Sequence, residues 1–172
     1  MPKEGLALVS EIEFPDETKI NGKEINSYYR DSFKVKVNKT ELEAKNVYHS
    51  IFGFLPTSIQ WALKCRNSIV KFLGFSVSNT QMCLPLEEII AGKKAGFLTI
   101  ESVSKSEVIC GAYEKNMDMW LSVLKVSEQE FAISTLVNLK TKSGEVYMAF
   151  IKPFHKLVAK FCIKQALKAG RI

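Results

Sequence analysis

The chain ends in KPFHKLVAKFCIKQALKAGRI, residues 152–172, and this stretch decides the predicted fold. It predicts one long amphipathic helix, because Pro153 suits a first helical turn and apolar side chains recur on one face until Gly170. The stretch has no acidic residue, and its basic residues are Lys152, Lys156, Lys160, Lys164, Lys168 and Arg171. The whole chain has 24 basic and 18 acidic residues, so the entire excess of +6 lies in this segment.

Five strand-like segments precede the terminal helix, with no other helix between them. They are residues 97–103, 107–113, 117–126, 130–141 and 145–151. Only a few residues separate each segment from the next. A parallel crossover needs a dozen residues or more, so neighbouring strands must run antiparallel. We therefore predict an antiparallel meander that ends in the terminal helix.

The residues before the meander predict a strand followed by a helical hairpin. Residues 31–37 alternate apolar and polar side chains, which is the pattern of a half-buried strand. The period then becomes helical, with one helix from Thr40 to Gly53 and a second from Pro56 to Gly74. The resulting order is β-α-α-β-meander-α.

Length and composition predict a single domain over residues 1–172, in which residues 1–26 form a loop-rich lead-in. The chain has 172 residues, of which 47% are hydrophobic, enough for one core. The fold class that follows is α+β, of the helix-grip type, with a curved antiparallel sheet wrapped around the long C-terminal helix. We expect an enclosed cavity between the sheet and that helix.

Several classes of protein and site are not indicated by the sequence. The start lacks a secretory signal and no run of 18 apolar residues is present, so we expect a cytoplasmic protein. The four cysteines lie far apart and are expected to be buried thiols. We expect no metal, no cofactor and no nucleic-acid partner, since none of the corresponding motifs occurs. The sequence does not predict an oligomeric state.

The strand over residues 116–126 has two informative faces. One face carries Met117 and Met119, and the other carries Asn116, Asp118 and Trp120. If the methionines face inward, the cavity wall is apolar and suits a lipid-like or aromatic ligand. If Asp118 faces inward, the cavity gains a carboxylate. The residues leave both arrangements open, and burial statistics favour the first.

The function predicted first is non-catalytic binding of a small hydrophobic or amphipathic ligand in the cavity. The candidate ligand-binding residues are Arg66, Asn116, Met117, Asp118, Met119, Trp120, Thr135, Tyr147, Phe154 and Phe161. The row of lysines on the terminal helix is either a solvated surface or a contact for an anionic membrane surface or an acidic partner.

The alternative is a small enzyme, such as a cyclase, dehydratase or hydrolase, so the sequence does not decide whether a reaction is catalysed. Its base would be Asp118 or Glu114, and its hydrogen-bond donor His155 or Tyr147. His155 would lie in the first turn of the terminal helix, where the backbone amides disfavour the imidazolium form. The enzyme requires that these side chains converge in one cavity.

Three stretches carry a resemblance to a known family. They run from Leu55-Pro56 through Arg66-Asn67 to Gly74, from Gly111 through Glu114 and Asn116 to Asp118, and from Gly144 through Tyr147 to Pro153-Phe154-His155. They resemble an uncharacterised bacterial family, a domain of unknown function with a Pro-Phe-His ending, over residues 27–168. The order of elements resembles the START and Bet v 1-like (SRPBCC) helix-grip superfamily.

The chain departs from that family at two positions. The family has a histidine where this chain has Asn116, and commonly an arginine where it has Trp120. If those polar residues are catalytic in relatives, this chain has lost the activity or changed its ligand. The resemblance implies no reaction.

Overall fold

The computed structural model describes residues 9–72 and 83–172 of the chain. The elements are β1 (Val9–Glu11), β2 (Tyr28–Lys36), α1 (Ala44–Phe52), α2 (Thr57–Phe72), a 3-10 turn (Leu86–Glu88), β3 (Lys94–Ala95), β4 (Leu98–Val103), β5 (Glu107–Tyr113), β6 (Met117–Ser127), β7 (Glu130–Leu139) and α3 (Lys142–Lys168). No helix in these residues is long and apolar enough to cross a bilayer.

All these strands belong to one antiparallel sheet in the order β1-β2-β7-β6-β5-β4-β3. Strands β3 to β7 form the meander. Strand β2, which precedes the meander in the chain, pairs with β7 along its whole length. The predicted α+β class, with a curved antiparallel sheet and a long C-terminal helix, is confirmed. The lead-in was predicted to be loop-rich, but it contains β1; residues 1–8 lie outside the described residues.

The sheet has a helix-covered inner face and a second face that the lead-in covers. The core of the inner face joins Phe33 of β2 and Phe131 of β7 to Val47 of α1 and Ile163 of α3. On the outer face, Ile20 of the lead-in packs with Trp120, Ile109 and Leu136. Because successive strand residues point to opposite faces, this packing decides which side chains of each strand reach the helices.

The prediction of a strand over residues 145–151 is wrong, because these residues form the first turns of α3. The Oγ1 atom of Thr141 caps the helix by accepting a hydrogen bond of 3.2 Å from the amide of Gly144. A side chain on residue 144 would begin 2.6 Å from the carbonyl oxygen of Asn116, so only glycine permits this approach. A nearly continuous apolar run has no clear period, so these contacts decide in favour of the helix.

The position of Pro153 is a second correction. Because α3 begins at Lys142, Pro153 lies inside the helix and not in its first turn. Its ring nitrogen cannot donate to the carbonyl of Ala149, so one helical hydrogen bond is missing. His155 follows Pro153 and is likewise far from the helix N-terminus, so the argument from helix-end amides does not apply to it.

The helical hairpin is confirmed with small changes to its ends. The first helix begins at Ala44, with Glu43 as its N-cap instead of Thr40. The second helix begins at Thr57, one residue after the predicted start at Pro56, and is described up to Phe72. Its predicted end at Gly74 lies outside the described residues.

Candidate functional site

A cavity of about 430 Å³ lies between the inner face of the sheet and the helices α2 and α3. Strands β6 and β7 form its floor, whereas α2 and α3 form its sides. The described residues of its wall are almost all apolar, and the polar side chains among them are Arg66, Thr135, Tyr147 and His155. A volume of this size matches the range of roughly 300–1,000 Å³ that is typical of sites for small ligands.

The cavity opens between α2 and α3. Trp61 and Ile69 of α2 and Phe154 of α3 contribute to its wall and are also exposed to solvent. A second hollow of about 150 Å³ adjoins the cavity on the side of the core. Thr135 and His155 belong to the walls of both, so they stand where the two hollows meet.

The methionine face of β6 is the face that lines the cavity. Met117 and Met119 lie in its floor beside Thr135 and Val137 of β7. The sequence left the direction of this strand open, and the apolar arrangement is the one observed. Asp118 therefore lies on the opposite face of the sheet.

The predicted carboxylates do not converge with His155. Asp118 bonds to Lys140 on the outer face, with Nζ 3.0 Å from Oδ1. Glu114 lies in the turn between β5 and β6, outside the cavity wall. An enzyme that uses either carboxylate together with His155 fails its first requirement, because the sheet separates Asp118 from the histidine.

Three other candidate residues lie away from the cavity. Asn116 accepts a hydrogen bond of 2.9 Å from the Thr141 hydroxyl, so it holds the start of α3. Trp120 is buried on the outer face and donates to the hydroxyl of Tyr113 at 3.2 Å. Phe161 is partly exposed on α3 beyond the cavity.

Arg66 and Tyr147 form the main polar group of the cavity wall. The Nε atom of Arg66 donates to the Tyr147 hydroxyl at 2.8 Å, and its Nη1 atom donates to Asn67 at 3.0 Å. The guanidinium also lies over the ring of Phe97, 5.0 Å from its centre. None of the ion pairs within residues 9–72 and 83–172 involves Arg66. A cation without a carboxylate partner in an apolar wall can bind an acidic group.

A second polar group joins His155, a candidate residue predicted from the sequence, to Tyr29 and Asp31 of β2, which were not predicted. The Tyr29 hydroxyl donates to Oδ2 of Asp31 at 2.5 Å, and Nε2 of His155 lies 3.4 Å from the same oxygen. Only 1% of the Asp31 side chain is exposed. Asp31 could have been identified from its position in the strand, because it lies on the same inward face of β2 as Phe33 and Val35.

The chemistry of this group follows from its burial. Burial raises the pKa of the Tyr29 phenol, and the hydrogen bond to Asp31 and the negative charge of that carboxylate raise it further. Tyr29 therefore stays protonated and keeps donating to Asp31 at neutral pH. Oδ1 of Asp31 and Nε2 of His155 make no hydrogen bond within the described chain. A carboxylate beside an imidazole in a cavity wall is the arrangement that orients a histidine for proton transfer.

The lysine row on α3 is divided between two surroundings. Lys156 and Lys160 form ion pairs with Glu11 of β1, the latter at 3.8 Å. Lys152 lies over the ring of Tyr29, 5.7 Å from its centre. Lys164 and Lys168 are exposed, and no ion pair among the described residues involves them. The first part of the row is thus used inside the fold.

Comparison with known families matches the chain over residues 25–162 to a family described as "Protein of unknown function (DUF2867)". This range is more than half of the chain and includes Asp31, Arg66, Tyr147 and His155. The prediction of an uncharacterised family is therefore confirmed. Neither the curated proteins nor the solved structures gave a significant match.

Proposed function

Because the chain belongs to the DUF2867 family, whose description assigns no activity, we propose its function from the cavity itself. The protein is a non-catalytic binding module for a small hydrophobic or amphipathic molecule, held between the sheet and α3. The observation that supports this most is the cavity of about 430 Å³ with its apolar wall. The driving force is the burial of the ligand's apolar surface, at roughly 25 cal/mol per Å².

Arg66 narrows the class of ligand to amphipathic molecules with an acidic group. A ligand carboxylate, sulfonate or phosphate at Arg66 forms the charge-assisted hydrogen bond that the described chain leaves unmade. The apolar body of the ligand then lies on Met117, Met119 and Val137. The position of Arg66 beside the mouth, near Trp61 and Ile69 on the same helix, lets the acidic group stay close to water.

We further propose a superfamily, a source and a cellular location for the protein. The order of elements and the cavity beneath the C-terminal helix support a relationship to the START and Bet v 1-like superfamily. A bacterial origin is supported only by the resemblance to an uncharacterised bacterial family. The cytoplasmic location is supported by four free cysteines, because a reducing compartment preserves thiols.

The proposal is tested with two fluorescent probes of matched shape, the anionic 8-anilinonaphthalene-1-sulfonate and the neutral N-phenyl-1-naphthylamine. Both should bind the purified protein with one site. The Thr135→Phe variant fills the floor of the cavity, so it should abolish binding of both probes while the protein stays folded. Thr99→Phe is the control, since Thr99 lies on the outer face of β4. Equal binding by both variants would reject the cavity as the site.

A second candidate function is acid–base catalysis in the same cavity, and the Asp31–His155 contact favours it. The carboxylate would be Asp31, behind His155 in the cavity wall, in place of Asp118 or Glu114. Wild-type protein and the His155→Gln variant would be incubated with a lipid extract from the source cells and the products compared by mass spectrometry. A catalyst predicts that at least one component is converted by the wild type and not by the variant. If neither sample changes the extract, catalysis is rejected and ligand binding remains the proposed function.

A further inference from the structure

Exposed apolar side chains lie on both helices that flank the mouth of the cavity. Trp61 and Ile69 on α2 are 69% and 57% exposed. On α3, Phe150, Phe154, Leu157 and Phe161 are exposed. Their steps of four, three and four residues put the last four on one line along the helix. These six residues are called the rim.

An exposed apolar surface of this extent marks an interaction site in a folded protein. The rim is continuous with the cavity, because Trp61, Ile69 and Phe154 are also cavity-lining residues. Whatever covers the rim therefore faces the opening. The nature of that partner follows from the charges around it.

The charges beside the rim are positive. Helix α2 has no acidic residue, and α3 has Glu145 alone. Lys64 and Lys71 on α2 and Lys164 and Lys168 on α3 are exposed, and no ion pair of the described residues includes them. Lys164 and Lys168 continue the line of Leu157 and Phe161 at helical spacing.

We propose that the rim docks on an anionic lipid bilayer. An apolar face flanked by lysines suits this surface, because the apolar side chains enter the interface while the cations contact anionic head groups. Trp61 is a residue of the type enriched at membrane interfaces. A second copy of this chain fits less well, since it would bring the same cations against Lys164 and Lys168.

The docking surface uses only part of the lysine row of α3. Lys156 and Lys160 are held by Glu11 on the other side of α3. The proposal therefore assigns the contact to Lys164 and Lys168 together with the rim. It goes beyond ligand binding and does not depend on it, because vesicle binding is measured whatever the cavity contains.

The experiment is flotation of the full chain with vesicles of phosphatidylcholine alone or with 30% phosphatidylserine. Wild-type protein should partition at least about tenfold more strongly into the anionic vesicles. The Lys164→Gln, Lys168→Gln double variant should lose more than tenfold, since each lysine near the surface contributes roughly fivefold. The Lys19→Gln, Lys36→Gln double variant removes the same charge from the opposite face of the molecule and should bind like wild type.

The apolar part is tested with Phe150→Gln combined with Leu157→Gln, two exposed positions outside the cavity wall. This variant should also lose at least about tenfold, whereas Ile25→Gln with Ile90→Gln should lose little. If the rim variant does not fold, the fluorescence emission of Trp61 in the wild-type protein tests the proposal. A blue shift of this emission on addition of anionic vesicles would report insertion of Trp61 into the bilayer. Trp120 is buried and contributes a constant signal.

Three results would overturn the proposal. The first is wild-type protein that does not float with anionic vesicles, and the second is equal losses in the rim and control variants. The third is a wild-type dimer in light scattering that the Phe150→Gln, Leu157→Gln variant dissociates, with no flotation of either protein. That result would assign the rim to a second copy of this chain.

Discussion

Arg66 of α2 and Tyr147 of α3 are joined by a 2.8 Å hydrogen bond from the guanidinium Nε to the phenol oxygen. The bond connects two helices that otherwise flank an opening. It also fixes the orientation of the guanidinium, which has five N–H donors, two of them used by Tyr147 and Asn67. The remaining donors are the ones that a ligand's acidic group can use.

The first prediction concerns the charge of Arg66. Arg66→Gln should weaken binding of 8-anilinonaphthalene-1-sulfonate about ten- to a hundredfold, because a hydrogen bond to a charged group contributes about 1.5–3 kcal/mol. Binding of N-phenyl-1-naphthylamine, which has no sulfonate, should change less than threefold. Fluorescence titration measures both affinities.

Tyr147→Phe is the matched control for that prediction, since it removes the Nε partner and keeps the cation. We expect a loss for the anionic probe that is smaller than the loss in Arg66→Gln. If both probes weaken equally in Arg66→Gln, the residue shapes the cavity and does not bind the acidic group.

The second prediction concerns the approach of α3 to the β5–β6 turn. Gly144→Ala places a methyl group 2.6 Å from the carbonyl oxygen of Asn116, so the first turn of α3 must move. The free energy of unfolding should fall by about 1–3 kcal/mol, because the steric cost of the methyl group exceeds the stabilisation from the higher helix propensity of alanine. Urea denaturation measures it. Ser143→Ala, an exposed neighbour in the same turn, should leave stability within about 0.5 kcal/mol.

The third prediction concerns alkaline pH. Burial raises the pKa of the thiols of Cys110 and Cys162 from 9.0 to about 11. Their protons are held more tightly in the folded state, so the associated stability is complete below pH 9 and is lost as the pH rises towards 11. Each thiol should account for a loss of about 2–3 kcal/mol across this window.

The measurement is denaturation under reducing conditions at several values between pH 7.5 and 11. Cys162→Ala should lower stability at pH 7.5 and flatten the alkaline decline. Cys65→Ala, at a half-buried position, should keep the wild-type slope. A Cys162→Ala curve parallel to wild type would contradict the assignment.

The fourth prediction concerns the lead-in on the outer face. The buried carboxylate of Glu107 accepts hydrogen bonds from the hydroxyls of Thr18 at 2.5 Å and Ser122 at 2.7 Å, and from the amide of Lys19 at 3.3 Å. Glu107→Gln should weaken this attachment and destabilise the protein by about 1–3 kcal/mol. Trypsin should then cleave after Lys19 and Lys23 faster than in wild type. Glu114→Gln, in the β5–β6 turn, should leave cleavage unchanged.

The fold was predictable wherever side-chain period and turn length agreed. Residues 97–139 alternate clearly and have short connections, so the four strands and their antiparallel order followed from the sequence. Residues 145–151 are almost all apolar, and a run of that kind fits a buried strand as well as a helix. The outcome there depends on Thr141, Gly144 and Asn116, which meet only in the folded chain.

The candidate site was predictable in part for the same reason. Burial statistics favour the inward direction of Met117 and Met119 that is observed, and the stretches that carry the family resemblance include Arg66, Tyr147 and His155. Asp31 was missed, although its position on the apolar side of β2 was a readable signal. Its contact with His155 joins two elements far apart in sequence, and no local pattern reports such a contact.

Helix α3 has one consequence for any exchange of the cavity's contents. Helix α3 forms one side of the cavity, and its Lys156 and Lys160 form ion pairs with Glu11 of the edge strand β1. Lifting α3 to let a molecule pass would break those ion pairs and unfasten β1. Exchange that displaces α3, and does not use the mouth between α2 and α3, would therefore be coupled to fraying of β1.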